Sequence, residues 1–507
     1  MGGPAPQALI DGRPAAAPGW AQLRAVVAEQ CTGRSPHGVV AAAAPLAAAL
    51  GAECLRAGGN VFDAVTVAAL AETVLLPPKC GLGGDLIALV VRAGAPRPEA
   101  LIAVGGAPRR LSRVAADGRM EVDGPTSVGV PAAAAGYAAL SELGVFDRSR
   151  HAEGAIRIAT TGFAWSKVCT LLTKLSTSLL TAQNPGGSVY LPGGSPIAPG
   201  VVTRLPGLAQ VLGEWVGRGA ELMTGPVGQA VVDAVRTRGG VLEMDDLEEY
   251  GGAIWQTCPE HRVSGHRVWA TPAPTHGPVL LDSIGSLGDL GSLSTARTYR
   301  AVTDAVDRFR RWTGESLADG GTSIVSGADR HGNMAVVIHS NSFPRFGSGI
   351  VVEGLDLVLA NRAGRGFSSR VGSRNFPEAG RRPATTLHAW AMVRDDSPVV
   401  AVGGTPGGIN QVPWNTQLLA DLMRSETWPA DAVVAPRWEV MPDDAGIRVE
   451  EGFTPDDIEA LTGEESRLER VGPFGLRCAQ QVVVRGDACG SVIASADPRT
   501  VGAVVPA

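Results

Sequence analysis

Asp319-Gly320-Gly321-Thr322-Ser323-Ile324-Val325-Ser326-Gly327 is the stretch on which the reading of this 507-residue chain turns. By itself a Gly-Gly-Thr is a turn leading into a strand, since glycines free the backbone and β-branched residues favour extended structure. Its position gives it more weight. Before about residue 320 the hydrophobic pattern is mostly helical, and after it short alternating runs dominate. Thr322 therefore opens the strand-rich part of the chain.

Working upstream, Gly38-Val-Val-Ala reads as a buried strand ending at Ala44. Pro45 suits a first helical position, and that helix runs to Ala57 before Gly58-Gly59 stops it. Asn60 caps the next helix, with Asp63 in its first turn, and Pro77-Pro78 bounds it after Leu76. Gly81-Leu-Gly-Gly84-Asp85 leads into a strand over 86–91, so it is not a phosphate loop, which would open a helix. Residues 190–205, rich in Pro, Gly and Ser, read as a surface loop, and 208–250 as helices broken at Gly239-Gly240. Downstream, strands are expected at 335–338, 349–352, 357–359, 398–402, 481–484 and 491–494, with a helix at 415–424.

Composition excludes several functions. Lys+Arg 44 against Asp+Glu 50 gives −6, which argues against nucleic acid as a partner. The only lysines are Lys79, Lys167 and Lys174, and none sits in a Gly-Lys-[Ser/Thr] loop. The seven cysteines are dispersed, as expected of reduced thiols. The longest apolar stretch, 39–50, is too short to cross a membrane. With no secretory signal in the first thirty residues, a cytoplasmic location is expected. His-Glu-x-x-His, Gly-x-Ser-x-Gly and Cys/His ligand spacings are all absent, so no metal is expected.

Taken in order, the chain's motifs resemble those of the gamma-glutamyltranspeptidase family of N-terminal-nucleophile hydrolases. They are Gly58-Gly59-Asn60 with Asp63-Ala64, Gly81-Leu-Gly-Gly84-Asp85, Gly225-Pro-Val-Gly, Asp246-Leu-Glu-Glu-Tyr250, Asp329-Arg-His-Gly332-Asn333, Phe346-Gly-Ser-Gly349, Thr405-Pro-Gly-Gly408 and Asp497-Pro-Arg499. The resemblance implies an α/β (α+β) fold, a four-layer αββα sandwich. It also implies self-cleavage between Gly321 and Thr322, with Thr322 then acting as nucleophile and its freed α-amine as base. The chain would divide into a variable extension 1–35, a large subunit 36–321 and a small subunit 322–507, held as a heterodimer without a cofactor. Ser323 would orient the amine, Gly407 and Gly408 would form the oxyanion hole, and Asn341, Thr385 and Thr386 would touch substrate.

The departures bear on the substrate. The family's Arg before its Glu-x-Ala-Pro segment is missing from Val104-Gly-Gly-Ala-Pro108. An acid of the family's Asn-Gln-Met-Asp-Asp-Phe stretch is gone from Asn361-Arg362-Ala-Gly-Arg365-Gly-Phe367. Arg362 and Arg365 become candidates to fork onto a carboxylate. The expected function is hydrolysis of a small carboxylate-bearing metabolite, by amide cleavage or by carbon–carbon cleavage of an oxalyl group in antibiotic biosynthesis. The alternatives are conventional γ-glutamyl hydrolysis or transfer, and an uncut pseudoenzyme acting as a scaffold.

Overall fold

The computed structural model of the chain describes residues 20–290, 293–313, 321–343, 345–397, 400–424, 429–441, 446–462, 467–486 and 490–507. Two seven-stranded antiparallel sheets form its centre. From edge to edge, the first runs Thr32–Ser35, Val492–Ala496, Gln481–Arg485, Val400–Gly404, Ala389–Arg394, His266–Ala270, Glu260–Val263. The second runs Ala503–Pro506, Gly38–Ala42, Ser323–Asp329, Met334–Ser340, Asp85–Val91, Glu99–Ala103, Ile254–Thr257.

Alternation along each strand sends successive side chains to opposite faces. Val39, Ile87, Ile324, Val336 and Ile338 of the second sheet meet Ala389, Ala391, Val402, Val483 and Ala494 of the first, and this is the inter-sheet core. Their neighbours Val40, Ala42, Leu86, Val325 and Val337 face outward under the helices Pro45–Arg56, Val61–Leu75 and Ala133–Ser141. Helices Gly277–Gly285 and Gln411–Arg424 cover the outer face of the first sheet. The order helix, sheet, sheet, helix is the four-layer sandwich expected. Strands from both sides of residue 321 enter each sheet.

The helix Val61–Leu75 lies beneath the strand that Thr322 opens. Asn60 caps it as expected: its Oδ1 accepts from the Asp63 N–H at 3.0 Å, and Asp63 Oδ2 accepts from the Asn60 N–H at 2.8 Å. All fifteen of its residues are buried, so its two acids, Asp63 and Glu72, both need partners inside the protein.

Several expectations are corrected. The expected variable extension 1–35 already carries the helix Trp20–Gln30 and the edge strand Thr32–Ser35, which pairs with Val492–Ser495. Residues 190–205 are not simply a surface loop. Tyr190, Leu191, Ile197 and Leu205 are buried, and the Tyr190 hydroxyl donates to the Asp356 carbonyl at 2.7 Å. Pro and Gly interrupt backbone pairing there without keeping apolar side chains out of the core. The strands expected at 349–352 and 357–359 shrink to Val351–Val352 and Leu357–Val358, paired only with each other. Of the cysteines, six are free thiols, and Cys489 lies outside the described residues, as do Pro398 and Val399. Among the described residues no helix is long and apolar enough to cross a membrane.

Candidate active site

Thr322 is buried at the start of the strand Ser323–Asp329, which pairs in register with Met334–Ser340 so that Ser323 lies opposite His339. Successive residues point to opposite faces, and this splits the site in two. On one face the Thr322 Oγ1 lies 3.0 Å from Ser340 Oγ. Ser340 Oγ donates to the Gly321 carbonyl at 2.7 Å and accepts from the Ser342 N–H at 2.9 Å. A serine has one hydroxyl proton. With that proton on the Gly321 oxygen, Thr322 is the donor to Ser340. The carbonyl just before the threonine is thereby polarised by a neighbour of the threonine's own hydroxyl.

On the opposite face, Ser323 Oγ donates to Glu72 Oε2 at 2.6 Å. His339 Nε2 reaches the same oxygen at 2.9 Å, and the Ala44 N–H donates to Oε1 at 3.0 Å. The Tyr137 hydroxyl lies 2.7 Å from His339 Nδ1. Cys80 closes the group, its Sγ donating to the Glu72 and Leu76 carbonyls at 3.6 and 3.8 Å. Glu72, Cys80 and His339 bring ligand atoms within 4.8 Å of one another. The donor set could suit a soft metal, but it is already spent internally. Both histidine nitrogens have partners, and burial drives the Cys80 thiol well above its ordinary value, away from the thiolate a metal needs.

The Gly81-Leu-Gly-Gly84 turn wraps the end of the strand Met334–Ser340 and the Asn341 that follows it. A Cβ on Gly84 would fall 2.4 Å from the Ser340 carbonyl oxygen and 2.7 Å from Asn341 Oδ1. Asn341 is fully buried; its backbone N–H donates to the Lys79 carbonyl at 2.7 Å and its Nδ2 to the Pro77 carbonyl at 3.1 Å. Its Oδ1 has no partner in the structure, an acceptor held beside Ser340.

The two glycines expected at the oxyanion hole adopt left-handed backbone, with φ of 142° at Gly407 and 58° at Gly408. A Cβ on Gly407 would sit 2.2 Å from the Trp414 ring, so a side chain is barred there by space as well as by φ. The Gln411 amide has one orientation in which both its atoms are matched. Its oxygen then accepts from the Gly408 N–H at 3.2 Å and the Thr386 Oγ1 at 3.1 Å. Thr385 Oγ1 accepts from the Leu387 N–H at 3.3 Å. The Thr385 and Thr386 hydroxyls thus brace their own loop and the one carrying the glycines.

Arg362 is not an open carboxylate receptor. It is buried, and its Nε donates to the buried Asp85 Oδ2 at 2.5 Å. Burial raises the Asp85 carboxyl, and the Arg362 charge opposes that rise only in part. Arg382 adds a second cation near Asp85 and donates to the Val104 carbonyl at 2.5 Å and the Gly252 carbonyl at 3.0 Å. Arg365 lies over the Phe343 ring at 5.3 Å, and Arg345 over the same ring at 4.8 Å. Ser340, Glu72, His339, Arg345 and Arg382 were not singled out from sequence, and Asp85 was read only as the end of the Gly81-Leu-Gly-Gly84-Asp85 motif. Glu72 carried a signal, an acid inside the apolar run Val-Ala-Ala-Leu-Ala-Glu72-Thr-Val-Leu-Leu.

The profile of the gamma-glutamyltranspeptidase family matches residues 47–311 and 294–507. The chain belongs to that family. The glutathione hydrolase proenzyme of Escherichia coli is 22% identical over 540 residues, covering 92% of this chain and 91% of that protein. Glutathione hydrolase 2 of Arabidopsis thaliana is 27% identical over 250 residues, 48% of this chain but only 42% of the relative. Cephalosporin acylase from Bacillus halodurans superposes with a TM-score of 0.82 at 25% identity, covering 94% of this chain and 97% of that one. Family membership makes the chain an N-terminal-nucleophile enzyme, of a class that includes hydrolases and transferases.

Proposed function

We propose that this chain is a self-processing threonine hydrolase that cuts its own Gly321–Thr322 bond and then acts on a small acyl substrate bearing a carboxylate. The observation that carries this reading is the chain of contacts from Thr322 Oγ1 through Ser340 Oγ to the Gly321 carbonyl oxygen. In self-cleavage the Thr322 oxygen adds to the Gly321 carbonyl carbon, and its proton passes to the departing Thr322 nitrogen. Water then hydrolyses the ester, leaving a Gly321 carboxylate and a free Thr322 α-amine. The pieces 1–321 and 322–507 stay together as a heterodimer because each sheet is built from strands of both.

In turnover the α-amine takes the Thr322 hydroxyl proton as the oxygen adds to the substrate carbonyl, then gives it to the leaving group. For an oxalyl group attached to carbon, that carbon leaves with the bond's electron pair and receives the proton. Gly407 and Gly408 offer backbone N–H groups to the developing oxyanion, the latter by exchanging Gln411 for it. Asn341 Oδ1 offers an acceptor to the bound molecule.

Charge favours an anionic substrate. Arg362 and Arg382 together outnumber Asp85, which lies opposite Ser340 across the paired strands. Such a surround supports a simple carboxylate, an oxalyl group included. It opposes the ammonium of a γ-glutamyl head. The glutathione hydrolase names of the relatives keep conventional γ-glutamyl hydrolysis or transfer as the alternative.

The test is intact mass under denaturing conditions, taken fresh and after a day at neutral pH. Two fragments meeting at Gly321 and Thr322 are expected from the wild type, and one chain without turnover from Thr322→Ala. A Thr322→Ala chain that still splits there overturns the assignment, and a wild type that stays whole favours the scaffold reading. Oxalyl and γ-glutamyl compounds assayed side by side then separate the substrate classes.

A further inference from the structure

Cleavage before Thr322 would turn the middle of a chain into a chain end, and chain ends fray unless tied down. The structure holds a tie one residue further on. Ser323 and His339 face each other across two paired strands, and both bond to the same Glu72 oxygen, at 2.6 and 2.9 Å. Glu72, Ser323, His339 and Tyr137 are all fully buried. Every polar atom of the four has a partner: Glu72 Oε1 is held by the Ala44 N–H, and His339 Nδ1 by the Tyr137 hydroxyl. A saturated polar cluster of this kind costs desolvation and is no cheaper than apolar packing. Stability alone does not explain an acid at this point of the helix.

We propose that Glu72 is a positioning residue that, through Ser323, orients the Thr322 α-amine and supplies it with a neighbouring negative charge. This rests on the self-processing reading above. The logic lies in the single proton of Ser323 Oγ. With that proton given to Glu72, the hydroxyl presents only lone pairs to the α-amine of the residue before it in sequence. An amine N–H donating to those lone pairs leaves the nitrogen's own lone pair for the Thr322 hydroxyl proton. The Glu72 charge favours the protonated amine, so it sets the pH at which the base becomes available. The other titratable groups facing Glu72 are His339 and Tyr137 from the sheet and the helix Ala133–Ser141, and Cys80 and Lys79 from the loop after its own helix.

The experiment needs no substrate. Competitive acetylation of the Thr322 α-amine across pH, read by mass spectrometry of the 322–507 fragment, gives the pKa of that amine in the intact heterodimer. Glu72→Gln is expected to lower it by about one unit, a tenfold change in proton affinity, while the protein remains folded and cut. Should Glu72→Gln fail to fold, Glu72→Met with His339→Leu replaces both partners by apolar groups and is expected to show the same fall. An amine whose titration is unmoved in a folded, cut variant overturns the proposal. So does a stoichiometric metal ion on the wild type that Glu72→Gln loses. A wild type that never cuts itself fails the self-processing reading instead, which keeps the two failures apart.

Discussion

One helix, Val61–Leu75, carries two buried carboxylates, and each is bonded to a histidine: Asp63 to His151 at 2.8 Å and Glu72 to His339 at 2.9 Å. Chemically the pairs are twins, but their remaining bonds differ. Asp63 also accepts from the N–H groups of Asn60, Val145 and Phe146 at 2.8, 3.0 and 3.0 Å. All of those are backbone, so Asp63 staples a helix start to a loop and to the helix Arg148–Thr161. Burial alone would raise the Asp63 carboxyl, and the His151 bond with the three N–H groups holds it below its ordinary value. Glu72 takes one backbone N–H and spends its other bonds on the two strands bearing Thr322 and Ser340. A buried His–carboxylate pair is therefore no mark of function by itself. What else the carboxylate holds decides it.

The largest effect that would sharpen this contrast is on stability. Asp63→Ala leaves His151 and the cap donors without their acceptor, and is expected to cost about 3–5 kcal/mol in urea denaturation. The folded fraction should still cut itself at the wild-type rate. A large loss of cutting in fully folded Asp63→Ala would erase the distinction between the two pairs.

A second effect comes from pH and concerns two further buried histidines, on the outer side of the first sheet. Burial pushes His276 down to about 3 and His388 down to about 4. Between pH 6.5 and 4 the unfolded chain binds protons at these rings that the folded chain refuses, so stability falls as pH falls. The loss is about 2 kcal/mol per ring at pH 5. Asp63 behaves differently: its depressed carboxyl contributes stability above its unfolded pKa, and that is lost only below about pH 3.8. Denaturation at pH 7 and pH 5 should show the first slope, and His276→Leu should remove about half of it, the His388 share remaining, while leaving the later Asp63 step in place.

The smallest effect is expected at Ser323→Ala. It removes one donor from Glu72 and one acceptor from the α-amine, and should slow turnover about tenfold, or 1.4 kcal/mol. Self-cleavage, in which no free amine takes part, should slow less. Equal losses in both would place Ser323 with Asp63, as a structural member only.

Much of the fold was legible from local chemistry. Pro45 and the Asn60–Asp63 capping box act over three or four residues, and the alternating runs around Val336 and Val483 name their own faces. The extension helix Trp20–Gln30 and the edge strands Thr32–Ser35 and Ala503–Pro506 were missed. They are short, and their pairing partners lie hundreds of residues away, where no local pattern shows them. At the candidate site, Thr322, Ser323 and the two glycines stand out by motif. Ser340 and Glu72 do not, since each earns its interest from a neighbour distant in sequence. Arg362 reads from sequence as an open cation, and only its contact with Asp85 shows it to be committed.

Sequence by itself determined the family, the threonine at the head of its strand, and the order of helices and strands around it. Those rest on residue identity and on periodicity, which the chain carries wherever it goes. Tertiary structure alone decided which side chains share a face with that threonine. Register is the physical reason: shifting a strand pair by one residue exchanges its two faces. The pairing of Ser323 with His339 is what puts Ser340 beside Thr322 and Glu72 beneath the strand it opens.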